Sequence, residues 1–143
     1  MRLDGKTAII TGGGSGFGAG IASKFVAEGC RVLLADINGE AAQNMATTLG
    51  SATLACQADV SSSTDVQQMV DTAQNAWGQI DIMVNNAGVT HLPAPLEDVT
   101  EEDFDRVMAV NMKSVYLTSR LIVPLMKKQR AGAILNIAST AGV

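Results

Sequence analysis

A chain of 143 residues, 47% hydrophobic and 17% charged, has material for one domain around a single core. Its net charge of −4 and pI near 4.8 argue against the basic face that electrostatic binding to nucleic acid or an anionic membrane needs. No apolar run approaches membrane-spanning length and no apolar h-region opens the chain, so a cytoplasmic protein without membrane attachment is expected.

Along the chain, short apolar runs alternate with amphipathic helical patterns. The runs are Thr7–Ile10, Arg31–Ala35, Thr53–Gln57, Asp81–Val84 and Ala133–Ile137. They are too short for helices, and several are unbroken by polar residues, as in strands covered on both faces. Ile21, Ala22, Phe25 and Val26 mark a first helix, closed by Gly29. Ala41, Ala42, Met45 and Leu49 mark a second, closed by Gly50. Val66, Met69, Val70, Ala73 and Trp77 keep the i, i+3, i+4 rhythm of a third, ended by Gly78. Thr100 and Asp103 resemble a capping box opening a long helix. That helix should place Phe104, Val107, Met108, Val115 and Ile122 on one face, with Pro124 disturbing its last turns. Residues 88–99, with Pro93 and Pro95, read as a loop over the carboxyl edge of the sheet. Cys30 and Cys56 stand apart, without metal-ligand spacing, and read as reduced thiols near the core; no metal site is expected.

This alternation predicts one α/β domain over residues 1–143, a doubly wound parallel sheet of the Rossmann type with strands in an order like 3-2-1-4-5. The chemistry sits first in Thr11-Gly12-Gly13-Gly14-Ser15-Gly16-Phe17-Gly18, between the first strand and the first helix. Glycine lets the backbone turn tightly and approach a diphosphate, and the helix behind offers free N–H groups and a partial positive charge. Asp36 ends the second strand, 18 residues past Gly18. A carboxylate there accepts hydrogen bonds from ribose hydroxyls and repels a 2′-phosphate. Neither Arg nor Lys occupies 37, 38 or the loop from 12 to 18, so NAD is expected in preference to NADP.

With these residues the chain resembles the short-chain dehydrogenase/reductase family. The spacing Thr11-Gly12-x-x-x-Gly16-x-Gly18 is similar to that family's loop. Asp59-Val60 resembles its adenine-contacting pair, and Asn85-Asn86-Ala87-Gly88 its internal motif. Asn111 and Ser139 sit where it keeps a catalytic Asn and Ser. Gly12, Ser15, Gly16, Phe17, Gly18, Asp36, Asp59, Val60, Asn86, Ala87 and Gly88 are therefore expected to bind cofactor. Plainer readings stand beside these. Asp59 could cap the turn before Ser61–Thr64, and Asn85–Gly88 could hold the sheet against the first loop. Asn111 could be an inward-facing polar residue needing partners, and Ser139 an ordinary loop hydroxyl.

The resemblance implies hydride transfer between a nicotinamide cofactor and a secondary alcohol or ketone, with small-molecule substrates and a homo-oligomer, commonly a tetramer. The 3-oxoacyl carrier-protein reductases and small polyol dehydrogenases are the members it most resembles. It also implies a general acid/base Tyr about a dozen residues beyond the Ser, followed four residues later by a Lys. The 143 residues end before that point, covering about three-fifths of a usual member. The sheet is thus expected to stop after its fifth strand. The alternative function is a dinucleotide-binding fragment without turnover. Tyr116 precedes the Ser and has Arg120, not Lys, four residues on, and is expected to be a packing or helix-surface residue. His91, in the loop after Gly88, reads as polar surface.

Overall fold

Strand β1 (Thr7–Thr11) begins an alternation that continues through α1 (Gly16–Ala27), β2 (Arg31–Asp36), α2 (Gly39–Leu49), β3 (Thr53–Gln57), α3 (Ser63–Trp77) and β4 (Ile82–Asn85). It ends with α4 (Glu101–Met108), α5 (Ser114–Gln129) and β5 (Ala133–Asn136). The structure, a computed structural model, describes residues 1–139. All pairings are parallel, and the strand order is β3-β2-β1-β4-β5, as the sequence predicts.

Alternation along the central strands divides the core in two. Ile9, Leu33 and Met83 point to one face, against Val66, Met69, Val70 and Ala73 of α3 and Leu117 and Ile122 of α5. Ala8, Ile10, Val32, Leu34 and Val84 point to the other, against Ala22 of α1 and Ala42 and Ala46 of α2. Burying each large aliphatic side chain contributes about 1.5–3 kcal/mol, so the central strands supply much of the stability. The small alanines bring α1 and α2 close to the sheet, and with them the loop that precedes α1.

The long helix departs from the expected pattern. Ile122 is buried and Val115 partly so, but Phe104 is 57% and Met108 41% exposed. Between α4 and α5 the backbone widens into a π turn at Ala109–Lys113. One extra residue in a turn rotates everything after it, so a single 3.6-residue rhythm cannot run through 104 to 122. The buried stripe starts afresh at Ser114, Leu117, Thr118 and Ile122. Helix α5 runs on through Pro124 to Gln129.

At the amino edge of the sheet, Asp81 joins β1 to β4. Its carboxylate accepts from the Thr7 backbone N–H at 3.0 Å, the Lys6 ammonium at 3.1 Å and the Gln79 amide at 3.1 Å. Burial pushes this carboxyl up, but the Thr7 N–H and the Lys6 ammonium together outweigh it and hold it below its ordinary value. Replacing Asp81 by Ala strands the Thr7 N–H and is expected to cost about 2 kcal/mol, read as a lower urea midpoint. A depressed carboxyl favours the fold when ionised. The advantage of wild type over Asp81→Asn should therefore be full above the ordinary carboxylate range and fade as the pH falls through it.

Candidate functional site

The carboxyl ends of β1 and β4 meet where successive connections leave in opposite directions, toward β2 and toward β5. Such a switch point opens a crevice above the sheet. The loop after β1 fills one side of it. Gly12 takes a left-handed φ of 63°, and a Cβ there would fall 2.9 Å from Asn86 Nδ2. A Cβ on Gly18 would collide with the Gly12 carbonyl oxygen. No larger residue fits either place without moving the loop.

Helix α1 also starts differently from its neighbours. Asn38, Ser62 and Thr100 each cap the first turn of their helices with a side-chain oxygen, and those turns carry Glu40, Asp65 and Glu101–Asp103. Ser15, at the head of α1, makes no such cap, and its first turn holds no acid. The amino end of α1 therefore keeps uncapped N–H groups and an uncompensated partial positive charge. Above it Gly16, at φ 54°, has no neighbour within 4 Å of a Cβ position, so the loop is open to a bound group. This donor set fits a diphosphate.

The Asn85–Gly88 turn forms the other side. Thr11 Oγ1 accepts from the backbone N–H groups of Asn86 (3.0 Å) and Ala87 (3.1 Å), while Asn86 Nδ2 donates to the Thr11 carbonyl at 2.9 Å. The plainer role of this turn, holding the sheet to the first loop, is thus present in the geometry. Asn85 points down instead. Its Nδ2 donates to Asn136 Oδ1 at 2.8 Å, and its Oδ1 accepts from the buried Thr118 hydroxyl at 2.9 Å. Sequence reasoning missed Thr118 and Asn136 in this triad. Their signal was faint: a polar residue inside the apolar face of α5 and another ending an apolar strand.

Asp36 closes the rim on the β2 side. One carboxylate oxygen accepts from Gly14 N and the other from Asn38 N, both at 2.9 Å. At the head of α3, Asp59 Oδ1 accepts from the Ser61 N–H at 2.8 Å and its hydroxyl at 2.7 Å, so it does organise that turn. The Asp59 N–H and then the Ser62 hydroxyl bond to Asp65 and hold that carboxyl below its ordinary value. Val60 is 6% exposed, so its side chain belongs mainly to the core.

The remaining expected residues are spread wider. Asn111 does not face inward: it lies exposed within the π turn. Its amide clips the loop after Gly88, accepting from Val89 N at 2.9 Å and donating to Val89 O at 2.8 Å. The wide turn aims it outward from the helix, which an unbroken α-helical phase does not foresee. Arg106 adds a second tie to the same loop, donating to the Thr90 carbonyl at 3.1 Å. Ser139 follows β5 on the same edge, just past Ile137, whose N–H donates to the Asn85 carbonyl. Tyr116 is 60% exposed on the outer side of α5, as the sequence predicts. His91 stays within its loop, Nδ1 lying 2.7 Å from the Leu92 carbonyl.

A family model described as short chain dehydrogenase matches residues 6–143. A sorbitol dehydrogenase from Cereibacter sphaeroides is 41% identical over 143 residues, 99% of this chain and 56% of the relative. Among solved structures, a 3-ketoacyl-(acyl-carrier-protein) reductase from Brucella melitensis complexed with NADH superposes at TM-score 0.94 with 43% identity, over 97% of this chain and 59% of that one. A short-chain dehydrogenase/reductase from Burkholderia phymatum in complex with NAD reaches TM-score 0.94 at 36% identity, over 99% of this chain and 52% of that one. The chain spans somewhat more than half the length of the curated relatives it matches.

The Thr11 hydroxyl serves two backbone amides at once. Thr11→Val keeps the shape and removes the acceptor, and is expected to cost about 2 kcal/mol. Native-state hydrogen exchange should show the Asn86 and Ala87 amides losing protection first.

Proposed function

The chain belongs to the short-chain dehydrogenase family, and from that premise we propose that its 143 residues are the nicotinamide-dinucleotide-binding part of an oxidoreductase. The reaction is hydride transfer between the cofactor and a secondary alcohol or ketone of small size. The observation that carries this is the uncapped, acid-free amino end of α1 beneath a glycine loop pinned from two sides. The sorbitol dehydrogenase and the NADH-bound reductase support alcohol/carbonyl chemistry, and NAD in both solved complexes supports the cofactor class.

In this reading residues 1–143 form one dinucleotide-binding domain. The backbone of Gly12, Ser15, Gly16, Phe17 and Gly18 holds the diphosphate by N–H donation. Asp36 takes the adenosine ribose hydroxyls on lone pairs its two tethers leave over, and disfavours a 2′-phosphate by charge, giving NAD over NADP. Asp59 and Val60 border the adenine, while Asn86, Ala87 and Gly88 back the cofactor from the far side of the crevice. Bound there, the nicotinamide supplies the hydride or takes it up. Ser139 holds the substrate oxygen. Asn111, with its amide committed to Val89, fixes the loop beside the reacting centre and supports proton transfer.

The proton itself needs a general acid/base. The one tyrosine of the 143 residues, Tyr116, lies on the outer side of α5 with Arg120 where a pKa-lowering Lys belongs. We therefore assign these 143 residues cofactor binding without turnover of their own. The side chains of Phe104 and Met108 on α4, Met112 in the π turn and Tyr116 on α5, each more than 40% exposed, support self-association through this stretch. The free thiols Cys30 and Cys56 support a reducing, cytoplasmic setting.

Titration calorimetry should find NAD binding to the 143-residue chain more tightly than NADP, and no binding of either would refute the assignment. Asp36→Ala should narrow the gap about tenfold by relieving charge repulsion. A mixture with NAD and simple secondary alcohols should form no NADH. For assembly, light scattering should show Met112→Asp shifting the protein toward monomer.

A further inference from the structure

The rim that meets the adenosine ribose is a built corner, and a residue outside the expected site completes it. Between β2 and α2 the chain turns at Ile37 and Asn38. Asp36 holds this turn from inside, through the Asn38 N–H, and Asn38 caps α2 by accepting from Ala41 N at 3.0 Å. From outside, Gln57 at the end of β3 donates its Nε2 to the Ile37 carbonyl at 3.2 Å. Gly39 rests on the stem of the same side chain: a Cβ on Gly39 would lie 2.9 Å from Gln57 Cβ.

This matters because charge at Asp36 is only half of the discrimination. The amino end of α2 lies immediately beyond Asp36, and a helix start attracts anions. A 2′-phosphate able to reach those amides would recover part of what repulsion by Asp36 takes away. The reach depends on whether the turn can swing outward. Gln57 ties it down by one hydrogen bond and by contact with Gly39.

We infer that Gln57 is a positioning residue for cofactor choice: it fixes the Ile37–Gly39 turn so that the ribose edge has no room for a 2′-phosphate. The inference rests on the dinucleotide reading above and adds to it a determinant on a strand that does not itself touch the ribose. Gln57 is exposed and lies outside both core clusters, so its replacement leaves the fold intact.

The test is the ratio of NAD to NADP affinity, measured by titration calorimetry on the 143-residue chain. Gln57→Met keeps the stem and removes the donor. It should lower the ratio about threefold, the scale of one modest hydrogen bond, chiefly through tighter NADP binding. Gly39→Ala should lower the ratio in the wild-type background by displacing the same side chain, and should add only part of that effect in the Gln57→Met background, where the stem remains but the donor is already gone. An unchanged ratio in Gln57→Met, with both affinities weakened alike, overturns the inference, as does full additivity of the two substitutions. Wild type that binds neither nucleotide sinks the dinucleotide reading instead.

Discussion

Strands β1 and β4 are neighbours in the sheet, yet their carboxyl ends are 74 positions apart in the chain, from Thr11 to Asn85. Beyond the paired strands, those ends are fastened by a small polar clasp, in which the Thr11 hydroxyl accepts from the backbone N–H groups of Asn86 and Ala87 and the Thr11 carbonyl accepts from Asn86 Nδ2. Everything the site does depends on it. The glycine loop hangs from Thr11 and the opposing turn from Asn86, so a slip between the two strands would change the width of the crevice between them. At the other edge of the same pair, Asp81 ties β4 to Thr7 and Lys6. The pair is fastened top and bottom, with the backbone ladder and the buried apolar side chains between.

The clasp also explains how the loop stays rigid while being mostly glycine. Glycine costs backbone entropy, and eight residues from Thr11 to Gly18 include five of them. A free loop of that composition would sample many shapes. Here its entry is held by Asn86, its middle by the Asp36 carboxylate on Gly14, and its exit by the start of α1. The absence of side chains is what lets these neighbours come so close. Flexibility in sequence becomes order in context because Gly12, Gly13, Gly14 and Gly18 each permit an approach that a larger residue would prevent.

Much of this was legible from residue order. The strands and their sequence order follow from apolar runs and intervening helices, and the loop, Asp36 and the Asn85–Gly88 turn stand out by type and spacing. What was not legible depends on phase and on contacts between distant segments. The π turn at Ala109–Lys113 has no composition signal, so Phe104 and Met108 looked like core residues and Asn111 like an inward one. The Asn85–Thr118–Asn136 triad joins three elements, and no single stretch of sequence reveals it. Gln57 likewise reads as an ordinary strand end until β3 is seen beside the turn after Asp36.

Under the proposed function, structure and selectivity share one side chain at Asp36. A carboxylate left free at that edge would be well hydrated, and its repulsion of a phosphate would be screened over a few ångströms of water. Two backbone amides instead fix both oxygens, one from each flank of the rim. Each amide uses one lone pair, and a carboxylate has about four sites, so acceptors remain for two hydroxyls. The tethers thus orient the charge without consuming it. They also make the carboxylate necessary to the loop, since a neutral, shorter residue would release the Gly14 and Asn38 amides. In the proposed reading, selectivity and loop order are coupled at Asp36, and a chain that switched to the phosphorylated cofactor would have to replace both functions together.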